Sequence, residues 1–236
     1  IRDSIKTVTA GKLTMSTNAQ FPPYESVADD GKGYEGTGFE GIDIEIAYAL
    51  AQKLGLELVV DDMDFDSALS AVQTGKSDIV AAGVTVTPER QNTMSFTDSY
   101  ANGVQVVIVK EGSDIKSIDD LEGKQIGTQR GTTGYSYCID DYGEDSVVPF
   151  DDGATAVQNL LAGKVDCVVI DKAPAQEYVK ANAGLTILDT EYANENYAIG
   201  LGKDNTALQA ALNKALAELK ADGTIQSIID KYISAK

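Results

Sequence analysis

An internal repeat constrains the fold of this chain more than any other feature of its sequence. In residues 65–83 and again in residues 156–171, apolar residues recur three and four positions apart, and a Gly-Lys-x-Asp segment and a short apolar run follow. The spacing predicts an amphipathic helix that ends at a glycine, Gly75 or Gly163, in the left-handed conformation. The apolar run predicts a buried parallel strand.

A second matched pair lies upstream of the two copies. Residues 12–17 and 124–128 each predict a strand that ends in a loop entering a helix. Two matched features in the same order predict an α/β protein with two similar lobes, built from strand–helix–strand units with right-handed crossovers. Because ligands of open α/β sheets bind outside the carboxyl ends of the strands, we expect the ligand in a cleft between the lobes.

The C-terminal part has no counterpart of this kind. Residues 104–109 and 197–201 predict extended segments, and the apolar spacing that starts at Asp204 or Asn205 and stops at Gly223 predicts a long helix. A shorter helix is expected at residues 225–232. Since this tail lacks a strand and loop of its own, we expect it to pack on one of the lobes.

The composition narrows the classes of function. Lys and Arg total 19 against 37 Asp and Glu, a formal net charge of -18, and there is no histidine. Such a chain repels phosphate backbones, so we expect no nucleic-acid partner. Without histidine, Ser-His-Asp catalysis and His-ligated metals are excluded, and two cysteines cannot form a four-thiolate zinc site. We therefore expect a binding protein that is not an enzyme and uses no metal or cofactor.

Export is left open by the sequence. No apolar run approaches the roughly 20 residues that span a bilayer. Residues 1–11 show no positively charged segment followed by an apolar one, so no signal peptide is visible. A chain that begins at Ile1 is equally consistent with a mature exported protein.

Six segments, spread over essentially the whole chain, resemble one known family in its order. They are Phe21-Pro22-Pro23-Tyr24-Glu25, Gly41-Ile42-Asp43-Ile44-Glu45-Ile46-Ala47, Met63-Asp64-Phe65, Gly83-Val84-Thr85-Val86-Thr87-Pro88-Glu89-Arg90, Gly131-Thr132-Thr133-Gly134 and Ala221-Asp222-Gly223-Thr224. Each is weak or moderate alone, but the ordered set is similar to the family 3 bacterial extracellular solute-binding proteins, which are the polar-amino-acid-binding proteins of ABC importers.

The resemblance implies a periplasmic-binding-protein type II fold with two hinges. Lobe I would hold residues 1–100 and 197–236, lobe II residues 105–192, and the hinges would lie near residues 100–104 and 193–197. It implies an extracytoplasmic monomer, in the periplasm or on the outer face of the membrane. Its partners would be a free polar L-amino acid such as glutamine, arginine or lysine, an ABC permease and the permease's ATPase. A lipid anchor upstream of Ile1 stays open.

An amino acid is a zwitterion, and its burial requires a fixed cation and a fixed anion. Arg90 suits the carboxylate, because a guanidinium can grip it through two hydrogen bonds. Thr87 is expected to cap the short helix that carries Arg90, with Pro88 in its first position. Asp171, at the end of the repeated strand, suits the ammonium. The alternatives are a surface arginine and an N-cap aspartate, and the resemblance favours the binding roles.

The resemblance assigns further ligand contacts. Phe21 and Phe65 would be aromatic walls around the ligand side chain, although both could instead be core residues. Gly83 and Thr85, with Ala82 beside them, would supply backbone and hydroxyl contacts, and Thr133 would supply donors at a helix start. The set is completed by two departures from the family's pattern, Asn18 and Gln129.

Asn18 replaces an aspartate that many cation-binding members carry. A neutral amide argues against a site tuned only to lysine or arginine, although aromatic stacking or another carboxylate, such as Glu25 or Glu40, could serve instead. Arg130 is expected to face solvent.

Two groups of residues have alternative readings. Cys138 and Cys167 could form a disulfide in an exported protein, or remain small buried thiols. The acidic residues from Asp140 to Asp152 lack the spacing of a calcium loop and are expected to form a solvated face.

Two other functions remain open. One is an exported dehydratase acting on arogenate or prephenate, which shares the fold. The other is the sensor module of a larger receptor.

Overall fold

The computed structural model of the protein describes residues 5–233, which form two compact units. Unit 1 consists of residues 5–101 and 196–233, and unit 2 consists of residues 102–195. Each contains a mixed sheet with helices, so the predicted α/β class is confirmed. Within the described residues, no helix is both long enough and apolar enough to cross a membrane.

The elements follow one another in chain order with short connections. The strands are β1 (Lys12–Thr17), β2 (Gln20–Phe21), β3 (Glu25–Val27), β4 (Phe39–Glu40), β5 (Glu57–Asp62), β6 (Ile79–Val80), β7 (Met94–Phe96), β8 (Ala101–Lys110), β9 (Ile126–Gln129), β10 (Val147–Phe150), β11 (Cys167–Asp171), β12 (Leu185–Ile187), β13 (Ala193–Tyr197) and β14 (Gly200–Gly202). The helices are α1 (Ile42–Leu54), α2 (Phe65–Gln73), α3 (Pro88–Gln91), α4 (Thr133–Tyr142), α5 (Gly153–Leu161), α6 (Lys172–Ala181), α7 (Thr206–Ala221) and α8 (Thr224–Tyr232).

The main sheet of unit 1 has the order β5-β1-β6-β14-β7. Its first three strands are parallel, and β14 is antiparallel to both of its neighbours. A small antiparallel sheet, β2-β3-β4, lies between β1 and α1 in the chain. Five of the six residues of β1 are buried, as expected for a strand covered on both faces.

The sheet of unit 2 has the order β10-β9-β11-β8-β12, and β13 also pairs with β8. Here β10, β9 and β11 are parallel, whereas β8 runs antiparallel to β11 and β12. The strands β9 and β11 therefore end at the same edge of the sheet. Their last residues are Gln129 and Asp171, two of the predicted ligand-binding residues.

The predicted repeat is confirmed in its details. The helices α2 and α5 are both followed by a capping residue and then by glycine, and Gly75 and Gly163 have the same φ of 74°. The next strand, β6 or β11, is buried and pairs in parallel with β1 or β9.

The structure adds a function for the repeated aspartate that the sequence pattern did not suggest. Asp78 Oδ2 accepts a hydrogen bond from the Thr14 N–H at 2.8 Å, and Asp166 Oδ2 accepts one from the Gln125 N–H at 2.8 Å. Asp78 Oδ1 also accepts from the Val8 N–H at 2.8 Å. In both units the aspartate that precedes the repeated strand, β6 or β11, thus hydrogen-bonds to the backbone of the parallel neighbour, at β1 or just before β9.

Two expectations need correction. The loop after β1 does not enter a helix directly, because its residues form β2 and β3 through the register that places Phe21 opposite Glu25. The extended segment at 197–201 is divided, since β13 ends at Tyr197 and β14 begins at Gly200.

The long helix agrees with its predicted bounds. Asn205, one of the two residues expected at its start, caps α7. At the other end Gly223, which has a φ of 83°, follows the C-cap residue Asp222.

The two cysteines are free thiols buried in the core of unit 2. Burial raises the pKa of each thiol to about 12, so both are held in the protonated form. The structure therefore matches the buried-thiol alternative. Arg130 is exposed beside Asp151, as expected, with an N···O distance of 3.5 Å.

We predict that Asp78→Ala lowers the free energy of unfolding by about 2–3 kcal/mol, because two backbone N–H groups lose a charged acceptor. Asp166→Ala is the matched change in unit 2. It removes a single hydrogen bond, which is exposed, and should lower the free energy of unfolding by about 1 kcal/mol. Urea unfolding of both variants measures the difference. An equal loss in the two variants would contradict the structural role given to Asp78.

Candidate functional site

The predicted ligand-binding residues are divided between the two units. Unit 1 contains Asn18, Phe21, Phe65, Ala82, Gly83, Thr85 and Arg90, and unit 2 contains Gln129, Thr133 and Asp171.

Arg90 is fixed by local structure in unit 1. The Thr87 hydroxyl oxygen accepts a hydrogen bond from the Arg90 N–H at 3.2 Å, and Pro88 occupies the first turn of α3, as predicted. The guanidinium donates from Nη1 to the Thr85 carbonyl oxygen at 2.8 Å. Its Cζ lies 5.5 Å from the centroid of the Phe65 ring, within the range of a cation–π contact. The structure thus brings Arg90, Thr85 and Phe65 together.

Phe65 and Ala82 belong to one hydrophobic cluster of unit 1. Phe65 is the first residue of α2 and is 6% exposed. Most of its surface is therefore buried, as expected for a core aromatic residue. Asn18, which follows β1, donates from Nδ2 to the Met63 carbonyl oxygen at 2.9 Å. This bond ties the end of β1 to the segment that leads into α2.

Gly83 and Phe21 are packed directly against each other. Gly83 has a φ of 55°, and a Cβ atom at this position would lie 2.8 Å from Cε1 of Phe21. The Phe21 ring stacks on Tyr24 with centroids 5.7 Å apart, and Tyr24 meets Tyr197 edge to face at 5.3 Å. The glycine therefore permits both the left-handed backbone and the close approach of an aromatic ring.

A buried carboxylate that sequence reasoning missed accepts a hydrogen bond from the backbone of Gly83. Asp43, which is 1% exposed, accepts hydrogen bonds from the Gly83 N–H at 2.7 Å and from the Tyr100 hydroxyl. The carboxyl group of Glu25, which is also buried, lies next to that of Asp43. Burial raises the pKa of Asp43, although these hydrogen bonds oppose the shift. The signal in the sequence was an aspartate between two isoleucines at a helix start.

Glu25 and Glu40, the two carboxylates considered for a cationic ligand, differ in their surroundings. Glu25 is fully buried beside Asp43, whereas Glu40 is exposed at the end of β4. Only Glu25 therefore belongs to the group of residues around Gly83.

In unit 2, the three predicted residues lie at strand ends and helix starts. Gln129 ends β9, and its carbonyl oxygen accepts a hydrogen bond from the Thr132 hydroxyl at 2.7 Å. Thr132 also caps α4, so that Thr133 becomes the first residue of that helix. Asp171 ends β11 and caps α6, with Oδ1 accepting from the Ala173 N–H at 3.1 Å. The capping alternative for Asp171 is thus confirmed, and its ligand role stays a prediction.

The predicted residues include a fixed charge of each sign, one in each unit. Unit 1 presents an oriented guanidinium, and unit 2 presents a buried carboxylate at the end of a parallel strand. No group of three or more His, Cys, Asp or Glu side chains suited to a metal is present in residues 5–233. Such fixed, oppositely charged groups are typical of proteins that bind a polar solute.

Comparison with known proteins identifies the family. The sequence model of the bacterial extracellular solute-binding proteins, family 3, matches residues 13–235. The ABC transporter arginine-binding protein 1 of Escherichia coli K12 is 36% identical over 228 residues, which cover 94% of this chain and 91% of that protein. The L-cystine-binding protein TcyJ of the same strain is 32% identical over 229 residues, covering 95% and 84%.

A solved structure shows the same likeness in three dimensions. An ancestral arginine-binding protein bound to glutamine has a TM-score of 0.88 and 39% sequence identity, covering 96% of this chain and 100% of that chain. The chain therefore belongs to the bacterial extracellular solute-binding proteins of family 3, and the resemblance inferred from its motifs is confirmed.

We predict that Gly83→Ala destabilises the protein more than Gly75→Ala does. Both glycines have positive φ, which costs an alanine about 1–2 kcal/mol, but nothing lies within 4 Å of a Cβ at Gly75. At Gly83 the Phe21 ring must also move, which adds about 1–3 kcal/mol. Urea unfolding of the two variants compares them directly, and equal losses would show that Phe21 does not restrict this position.

Proposed function

We propose that this protein captures a polar L-amino acid outside the cytoplasm and delivers it to an ABC permease and its ATPase. The relatives named above are binding proteins for arginine and cystine, and the structural neighbour holds glutamine. These ligands differ in their side chains and share an α-carboxylate and an α-ammonium. Recognition of the shared groups therefore supports the proposal best.

The observation that carries the proposal is the fixed guanidinium of Arg90. Its hydrogen bond to the Thr85 carbonyl and its position over Phe65 hold the planar group in one orientation. A preoriented guanidinium binds a carboxylate at a lower entropic cost than a mobile side chain does. We assign Arg90 to the α-carboxylate, with Thr133 contributing donors from the start of α4.

Asp171 is assigned to the α-ammonium. Its carboxylate is 2% exposed and already accepts one backbone hydrogen bond, so it is held rigidly at the end of β11. An ammonium group suits this position, since a buried charge is stabilised by an opposite charge close to it. Burial of a charge-paired zwitterion is thus the source of specificity for amino acids as a class.

The ligand side chain is assigned to the group around Phe21 and Gly83, together with Asn18, Phe65, Ala82 and Gln129. Asn18 is neutral and its amide already donates to the Met63 carbonyl oxygen, so this position does not demand a cationic side chain. We propose that the protein accepts uncharged polar side chains, such as that of glutamine, as well as cationic ones.

A thermal-shift screen of the twenty L-amino acids tests the proposed function. A ligand present at 100 times its Kd should raise the free energy of unfolding by about 2.7 kcal/mol, and the melting temperature should rise with ligand concentration. We expect shifts with arginine and glutamine and none with their decarboxylated amines. The absence of a shift with all twenty would refute binding of a free amino acid.

We predict that Arg90→Lys raises the Kd of the best ligand by about 10-fold or more. A lysine cannot make two parallel hydrogen bonds to a carboxylate, and it loses the planar contact with Phe65. Arg130→Lys is the matched control, because Arg130 is exposed and forms an ion pair with the exposed side chain of Asp151. Titration calorimetry measures both variants. Equal affinities in the two would exclude Arg90 from the carboxylate site.

A further inference from the structure

Two buried polar side chains of unit 2, which contact each other, have no role in the function proposed above. Gln105 in β8 is 4% exposed, and Glu195 in β13 is 6% exposed. Gln105 Nε2 donates a hydrogen bond to Glu195 Oε2 at 3.0 Å. The other carboxylate oxygen, Glu195 Oε1, is buried and has no hydrogen-bond partner among residues 5–233.

The contact with Glu195 fixes which way the amide of Gln105 points. A carboxylate can only accept hydrogen bonds, so the NH₂ group of Gln105 must face Glu195 and its carbonyl oxygen must face away. That oxygen, Oε1, lies against the first turn of α4, where a Cβ on Gly134 would come within 2.8 Å of it. A residue other than glycine at position 134 would displace the amide.

The strand register places the Gln105 side chain next to Asp171. The antiparallel pairing of β11 with β8 puts Asp171 directly opposite Gln105. Side chains of directly opposed residues lie on the same face of a sheet, with Cβ atoms about 4.5–5.5 Å apart. The side chains of Gln105 and Asp171 are thus neighbours on one face of the sheet, and the Gln105 Oε1 atom lies near the start of the helix that carries Thr133.

We propose that Gln105 binds the α-ammonium of the ligand through Oε1, beside Asp171, and that Glu195 is the positioning residue that orients it. An ammonium carries three N–H donors, and one carboxylate that also caps α6 does not satisfy all of them. The carbonyl oxygen of Gln105 supplies a second acceptor. The buried negative charge of Glu195 polarises the Gln105 amide and makes its carbonyl a better acceptor.

This inference rests on the proposed function and extends it to Gln105 and Glu195. It also gives a reason for the burial of Glu195, whose side chain accepts one hydrogen bond, from Gln105, within residues 5–233. The ligand's positive charge would compensate the charge of Glu195 through the amide between them. One ammonium would then compensate two buried carboxylates, Asp171 by direct contact and Glu195 through the Gln105 amide.

The test compares an amino acid with its 2-hydroxy acid analogue, which lacks the ammonium. The probe is whichever of L-arginine, L-cystine and L-glutamine binds the wild-type protein most tightly, and calorimetry measures both compounds. Gln105→Met keeps the size of the side chain but removes the acceptor. We expect it to weaken binding of the amino acid about 10-fold and to change binding of the hydroxy acid much less. The Kd of the hydroxy acid divided by the Kd of the amino acid should therefore fall.

Gln125→Met is the matched control, because Gln125 is an exposed glutamine of the same unit. It should leave both Kd values unchanged. If Gln105→Met does not fold, Glu195→Gln replaces it, since a glutamine at 195 can accept or donate and no longer fixes the Gln105 amide. That variant should also lower the ratio of Kd values.

If Gln105→Met weakens binding of both compounds equally, Gln105 only maintains the structure of the site. If both affinities are unchanged, Gln105 does not contact the ligand. Either result overturns the inference while leaving amino-acid binding intact. A wild-type protein that binds none of these three and none of the twenty L-amino acids of the thermal-shift screen would overturn the proposed function itself and this inference with it.

Discussion

Parallel pairing of the repeated strand with the matched strand upstream of it, β1 or β9, is the interaction on which the rest of the structure depends. In unit 1 it joins β6 to β1, and in unit 2 it joins β11 to β9. A parallel pair requires a crossover, which places a helix against the sheet and buries the strands on both faces. The polar residues that end these strands then occupy one edge. The repeated aspartate locks the pairing, because it accepts a hydrogen bond from the backbone near the start of the preceding strand.

Periodicity and glycine position in the sequence were sufficient to predict this framework. The helix spacing, the two left-handed glycines, the buried strands and the caps at Thr87 and Asp171 all follow from local rules, and the structure contains them. The placement of Arg90 on a capped turn was predictable for the same reason. Such features depend on residues only a few positions apart in the chain.

Contacts between distant segments were not predictable in this way. Asp43 meets Gly83 and Tyr100, and Gln105 meets Glu195, across separations that no sequence period encodes. The small sheet β2-β3-β4 was missed because its strands have two or three residues, too few to show alternation. Buried polar residues are costly unless paired, so the sequence indicates that partners exist but not which residues they are.

The position of β14 in the sheet of unit 1 has a consequence for the order of assembly. This strand lies between β6 and β7, yet it follows the whole of unit 2 in the chain. Unit 2 is one continuous stretch and can complete its sheet as soon as residue 195 is available, whereas β7 finds its neighbour in unit 1 only after residues 200–202 have emerged. During synthesis or passage through a membrane pore, the inserted unit is therefore the one that can fold first, and the unit that begins the chain is the last to close.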